Sequence, residues 1–263
     1  MHWILQDSLF SPREWDTLVS TLDRLGLPHS SHKVVPFAGE LVPTPTTTAG
    51  KVICLGSYAL RHAARAAGWS PGVYDLDDVD FEVQRAHWGR HLLNADSVVV
   101  PFAQVELAAG AAWFVRPVAD SKVFAGQVVH DLDAFRAWQR RVCELGHGDS
   151  DGATLRGDTL VQVAPVRELH AEYRFWIVGG RVATASEYRR GGEVVYREHR
   201  GGDALHAYAQ ARVEEWQPHR AFCLDLADTP EGPAILEINT LNAAGFYAAD
   251  LQRLIIALED LEA

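Results

Sequence analysis

Residues Phe222–Tyr247 read FCLDLADTPEGPAILEINTLNAAGFY. Phe222, Leu224 and Leu226 alternate with Cys223, Asp225 and Ala227. After the turn Asp228-Thr229-Pro230-Glu231-Gly232, Leu236 and Ile238 alternate with Glu237 and Asn239. Successive side chains of a strand point to opposite faces, so the spacing predicts a hairpin with one apolar face and Asp225, Glu237 and Asn239 on the other. A turn centred near Glu231 sets Asp225 opposite Glu237. Two carboxylates that close repel each other, and a hard divalent cation such as Mg²⁺ relieves the repulsion. The alternative is an amphipathic hairpin with a solvated acidic face. The apolar run Pro233–Leu236 leads straight into Glu237, and an Asn- and Gly-bearing loop follows. That arrangement favours the metal, provided phosphate-binding groups exist elsewhere.

The rest of the chain sets the frame for this hairpin. Its 263 residues suit one large domain or two small ones, and 48% hydrophobic with 22% charged residues is ordinary for a protein with a real core. The net charge of −11 argues against general binding to nucleic acid or an anionic membrane. Cys54, Cys143 and Cys223 lack metal spacing and read as buried free thiols of a reducing compartment. Neither a leader nor a run of ~18 apolar residues is visible, so a soluble, cytoplasmic protein is expected. A zinc site is disfavoured, because His199 and His206 show no ligand spacing with Cys or His.

His2–Gln6 reads as a strand, and Ser11-Pro12-Arg13-Glu14 as a capping box opening a helix that stops at Gly26. Strands are expected over 32–37 and 51–55, and Gly56-Ser57 opens an Ala-rich helix over 58–67. This suggests an α/β layer with a largely parallel sheet. Gly56-Ser57 is read as a tight packing turn rather than an anion site. Acidic Pro71–Asp80 is read as a solvated loop. A domain boundary is placed near 94–105, giving 1–97 and 98–263.

Trp113–Val118 is an apolar strand carrying Arg116, with Lys122 in the loop that follows. A cation in such a strand pairs internally, for instance with Asp120, or reaches an anion. Asp131 caps a helix, Leu160–Pro165 is a strand, and Gly179-Gly180 joins two strands as a hairpin. Glu172 and Arg174 lie on the first of these. The segment 247–261 closes the chain as an amphipathic helix.

Taken together, Arg116, Lys122, Arg174 and the Asp225, Glu237, Asn239 set resemble the ATP-grasp superfamily of carboxylate–amine ligases, over roughly 98–263. Asp225 followed by Glu237-Ile238-Asn239 matches the family's metal motif, Phe114-Val115-Arg116-Pro117 its phosphate-binding strand, and Glu172-Tyr173-Arg174-Phe175 its ribose segment. The chain looks like the branch with Arg in place of the first phosphate-binding Lys, two Arg and one Lys. The resemblance implies an α/β and α+β ATP-grasp fold preceded by a Rossmann-like layer. It implies ATP between two α+β halves, with adenine near Gln162, Val163 and Ala164 and the ribose at Glu172. Arg116 and Lys122 would hold phosphates under a lid around 121–126, with a pair of Mg²⁺ ions on Asp225, Glu237 and Asn239. Arg174 would steady an acylphosphate, and an amine would then form the amide and release phosphate. Small-molecule, peptide or protein carboxylates and amines are the implied substrates, and a homodimer is common in the superfamily. Asn242 is a further contact candidate. A kinase of the same fold and a non-catalytic nucleotide-binding regulator are the alternatives.

Overall fold

The computed structural model describes residues 1–35, 40–47, 50–77, 79–119, 123–144 and 154–263. The chain opens with β1 (His2–Gln6), α1 (Pro12–Leu25), β2 (His29–Val34), β3 (Leu41–Val42), β4 (Val52–Leu55), α2 (Tyr58–Ala66) and β5 (Pro71–Gly72). Ser11 and Glu14 form the capping box, and Gly26 ends α1 with φ 67°. The sheet order is β3-β2-β1-β4-β5, parallel except for β2 with β3. Trp3, Ile4 and Leu5 are all buried, as expected of a parallel strand covered on both faces. Trp3, Leu5, Ile53 and Leu55 share a cluster with Leu18 and Leu22 of α1, and Ile4, Val52 and Cys54 share one with Leu60 and Ala64 of α2. The strand expected over 32–37 begins earlier, at His29, and residues 36–39 lie outside the described ones.

Next come α3 (Phe81–Trp88), β6 (Val98–Pro101), β7 (Trp113–Pro117), β8 (Gln127–Val129), α4 (Leu132–Glu144) and β9 (Leu160–Pro165). Here the sheet is antiparallel, in the order β6-β9-β7-β8. Val115, Val129, Val161 and Val163 are buried in one cluster with Phe135 and Val142 of α4 and with Phe102. Asp131 caps α4 by accepting from the amides of Asp133 and Ala134, each at 2.9 Å.

The last segment holds β10 (Ala171–Val178), β11 (Arg181–Arg190), β12 (Glu193–Glu198), α5 (Ala204–Glu215), β13 (Ala221–Thr229), β14 (Gly232–Asn239) and α6 (Leu251–Leu261). They form an antiparallel sheet ordered β12-β11-β10-β13-β14. Gly179 and Gly180, at φ 57° and 76°, make the two-residue turn between β10 and β11 that a right-handed twist favours.

Two compact units result. One joins Met1–Asp77 to Leu169–Ala263, and the other is Asp78–Glu168. In the first, one large core joins its two segments: Trp3 and Leu5 of β1 pack with Trp176 and Val178 of β10, Ala221 and Cys223 of β13, and Leu251, Leu254, Ile255 and Leu258 of α6. Burying an aliphatic side chain of this size contributes about 1.5–3 kcal/mol, so this core fixes the β10-β13-β14 face that carries the acidic row.

Three expectations are corrected. The acidic loop is not simply solvated: Arg61 meets Asp75 and Asp77 at 3.3 and 3.2 Å, and Arg65 meets them at 2.7 and 3.1 Å. Cys54 and Cys223 are buried, but Cys143 is exposed on α4. Leu236 does not simply share the apolar face with Ile238, because the register shifts between Asp225 and Leu226. Ile235 and Ile238 are the buried pair, and a bulge is what lets residues three apart turn to one side.

Candidate active site

The pairing of β10, β13 and β14 lays three charges in one row. Arg174 is the register partner of Asp225, and Asp225 is the register partner of Glu237. The hairpin expectation for Asp225 and Glu237 is therefore met in register. The bulge falls one residue beyond and leaves that pair intact.

Asp225 is 1% exposed and would be costly as a lone charge. Arg174 Nε donates to Oδ1 at 2.8 Å and Nη2 to Oδ2 at 2.7 Å, a two-point fork that a lysine could not make. Burial pushes the Asp225 carboxyl up, with the Glu237 and Glu172 carboxylates adding to it and Arg174 partly offsetting it. Burial also works against the Arg174 charge, but the charge and hydrogen bonds of Asp225 outweigh it and hold the guanidinium protonated.

Asn239 joins the two acids: its Nδ2 donates to Asp225 Oδ2 at 3.2 Å and to Glu237 Oε1 at 3.1 Å. Which end of that amide faces the acids is set by its hydrogen bonds, and turning it over would present the carbonyl oxygen. Two carboxylates and one amide oxygen within a single cross-strand patch are the donor set that a hard divalent ion takes. The residues fit Mg²⁺.

Around this row stand groups that the sequence alone did not single out. Tyr188 Oη donates to Glu172 Oε2 at 3.0 Å, and Arg189 lies 3.5 Å from Glu172 Oε1. The Arg174 guanidinium carbon sits 5.8 Å from the Tyr188 ring centre and 5.3 Å from that of Tyr247. No local pattern announces these tyrosines, since they reach Arg174 from different parts of the chain. Asn242, a contact candidate in the sequence, is instead structural. It is buried, its Oδ1 accepts from the Tyr74 amide at 2.7 Å, and its Nδ2 donates to the Cys54 carbonyl. Gly56 is a packing turn: an added Cβ would lie 2.4 Å from Leu60 Cδ2. Its amide donates to the Asn242 carbonyl at 2.9 Å, and that of Ser57 to Gln6 Oε1 at 2.7 Å.

In the other unit, Arg116 is half-buried on β7 and is the register partner of Gln162. Gln162 is 3% exposed, and Ser97 Oγ lies 3.4 Å from its Oε1. Val163 and Ala164 are buried beside it on the middle strand β9. Gly126, at the end of the expected lid, allows a close approach: a Cβ there would lie 2.6 Å from the Phe114 ring. Lys122 and Asp120 lie outside the described residues.

A family model, the ATP-grasp domain of the R-two-K clade, family 3, matches residues 43–258. Solved structures with the same fold include a RimK-domain ATP-grasp protein from Sphaerobacter thermophilus, at 16% identity and TM-score 0.59, covering 94% of this chain and 98% of that one. The D-alanine–D-alanine ligase from Bacillus anthracis aligns at 11% identity and TM-score 0.61, covering 100% and 97%. The ATP-grasp ligase PsnB, solved with a minimal precursor, aligns at 12% identity and TM-score 0.56, covering 99% of each chain. No curated protein matches the chain.

Proposed function

This chain belongs to the ATP-grasp domain family of the R-two-K clade, family 3, and on that footing we propose that it is an ATP-dependent ligase joining a carboxylate to an amine. The observation that carries the reading is the in-register row Arg174, Asp225, Glu237, tied together by Asn239. Asp225, Glu237 and Asn239 would hold Mg²⁺, which when bound supplies positive charge to the phosphate oxygens of ATP. Arg116 would take the part of the family's first phosphate-binding Lys, and its planar fork would grip two phosphate oxygens at once. Lys122 would be the second phosphate cation. Glu172 would take the ribose, and Gln162, Val163 and Ala164 mark the strand near which adenine would pack.

In the first step a substrate carboxylate oxygen attacks the γ-phosphorus, and the bond to the β-phosphate oxygen breaks to release ADP. The product is an acylphosphate. Arg174 would steady its charge, because the guanidinium is already fixed by Asp225 and need not reorganise. In the second step an amine nitrogen attacks the acyl carbon, phosphate leaves, and the nitrogen loses a proton. Water has to be kept out, because it would hydrolyse the acylphosphate.

The test is ADP release from Mg-ATP across a panel of carboxylates and amines. The reading predicts release that requires both co-substrates, and a fall of at least about 100-fold in Glu237→Gln with an unchanged melting curve. ADP release that needs no amine would indicate a kinase. Wild-type rates in Glu237→Gln would overturn the metal assignment.

A further inference from the structure

Tyr188 and Tyr247 lie beside Arg174, Tyr196 stacks on Tyr247, and the reaction as proposed above gives none of the three a role. Tyr247 stacks on Tyr188 with ring centres 5.1 Å apart and planes at 27°, and on Tyr196 at 5.3 Å and 26°. The rings come from β11, from β12 and from the loop before α6, so no single element explains their meeting. Nor are they closed core. Tyr196 is 50% exposed, Val194 on the same face of β12 is 63% exposed, and Tyr188 and Tyr247 are half-buried. The stack therefore runs from solvent to the buried Arg174–Asp225 pair.

Tyr247 is also held in a conformation that its side chain resists. Its φ is +54°, in the left-handed region where a bulky residue is a genuine outlier. Such backbone persists only where the surroundings over-determine it. Here they do. The Tyr247 amide donates to Glu14 Oε1 at 2.7 Å, the Ala248 amide to Ser186 Oγ at 3.1 Å, and the Asp250 amide to Thr184 Oγ1 at 2.9 Å. The preceding Phe246 is buried and stacks on Phe10 at 4.7 Å. A glycine at 247 would relax the backbone but lose the ring. What the strained geometry secures is the Tyr247 ring against Arg174 and the other two tyrosines.

We infer that this tyrosine shelf binds the side chain of the carboxylate substrate, and that this side chain is aromatic. The inference rests on the ligase reading, in which Arg174 steadies the acylphosphate. A group one or two bonds from that carbonyl then lies over the adjoining rings. Flat π surfaces favour another ring in offset stacking, a preference worth more than the buried area alone. An acidic side chain would meet the negative ring faces and the Glu172 and Asp225 carboxylates, which disfavour it.

The test uses the full chain and two variants of the half-exposed Tyr196, Tyr196→Ala and Tyr196→Phe, with melting curves confirming folding. N-acetylphenylalanine and N-acetylalanine are offered with Mg-ATP and hydroxylamine, and the hydroxamate is measured. The expected wild-type kcat/KM favours the phenylalanine derivative at least tenfold. That ratio should fall to within twofold in Tyr196→Ala, chiefly through KM, and be kept in Tyr196→Phe. Equal use of the two carboxylates by wild type, or a ratio unmoved in Tyr196→Ala, would overturn the inference. So would weakened Mg-ATP binding in Tyr196→Ala with unaltered selectivity, which would make the shelf a base-stacking surface. If neither compound turns over, the ligase reading fails for them, and calorimetry of each without nucleotide decides the shelf. Tenfold tighter binding of the phenylalanine derivative, lost in Tyr196→Ala, would still support it, and binding of neither would overturn it.

Discussion

Cys54 and Cys223 show how burial alone sets reactivity. Burial pushes the Cys54 thiol up to about 12, and that of Cys223 up as well. At pH 8 a thiol with that value is ionised in roughly one molecule in 10⁴, and the thiolate is the reactive form. Cys143 is exposed. Iodoacetamide at pH 8 should add one adduct to the native protein, at Cys143, and three in denaturant; native labelling of Cys54 or Cys223 would contradict the described packing. His219 gives a pH-dependent counterpart. Burial, with Arg220 nearby, lowers its pKa below 6.5. The native state then binds fewer protons at this site than the unfolded chain. The stability it contributes is complete above the unfolded value and is lost as pH falls through the folded one. The urea midpoint should therefore drop less between pH 7 and pH 5 in His219→Gln than in wild type, and equal drops would refute it. At this scale Asp225, Glu237 and Asn239 are legible in the sequence because alternation and turn length are local. The Arg174–Asp225 fork is not, because it depends on β10 choosing β13 as its neighbour.

Elements carry more than their local patterns state. The capping box at the start of α1 is readable from four residues. The second use of Glu14, holding the Tyr247 amide 233 positions away, is not. Ser11→Ala should cost about 1 kcal/mol in urea denaturation, the ordinary loss of an N-cap. Glu14→Ala should cost about 2 kcal/mol, because it also leaves the Tyr247 amide without its acceptor. Equal losses in the two variants would show that the tie to Tyr247 contributes nothing. The bulge at Leu236 is a similar case. A strict period of two assigns Leu236 to the core face, whereas the extra residue turns Ile235 and Ile238 inward and preserves Asp225 opposite Glu237.

For the molecule as a whole, the mixed α/β character is legible from the order of strands and helices. The shared core of β1, α1, β10, β13 and α6 is not, since periodicity reveals each element's apolar face but not its partner. That core makes the acidic row a feature of a rigid sheet rather than of a loop. Among the described residues no helix is long and apolar enough to cross a membrane. We propose that the row is a magnesium site for bound ATP. Calorimetry of ATP with and without Mg²⁺, on wild type, Glu237→Gln and Arg116→Ala, tests it most directly. Wild type should bind ATP in a Mg²⁺-dependent manner, Glu237→Gln should lose the Mg²⁺ enhancement, and Arg116→Ala should bind ATP more weakly. ATP binding that is indifferent to Mg²⁺ and equal in all three proteins would contradict it.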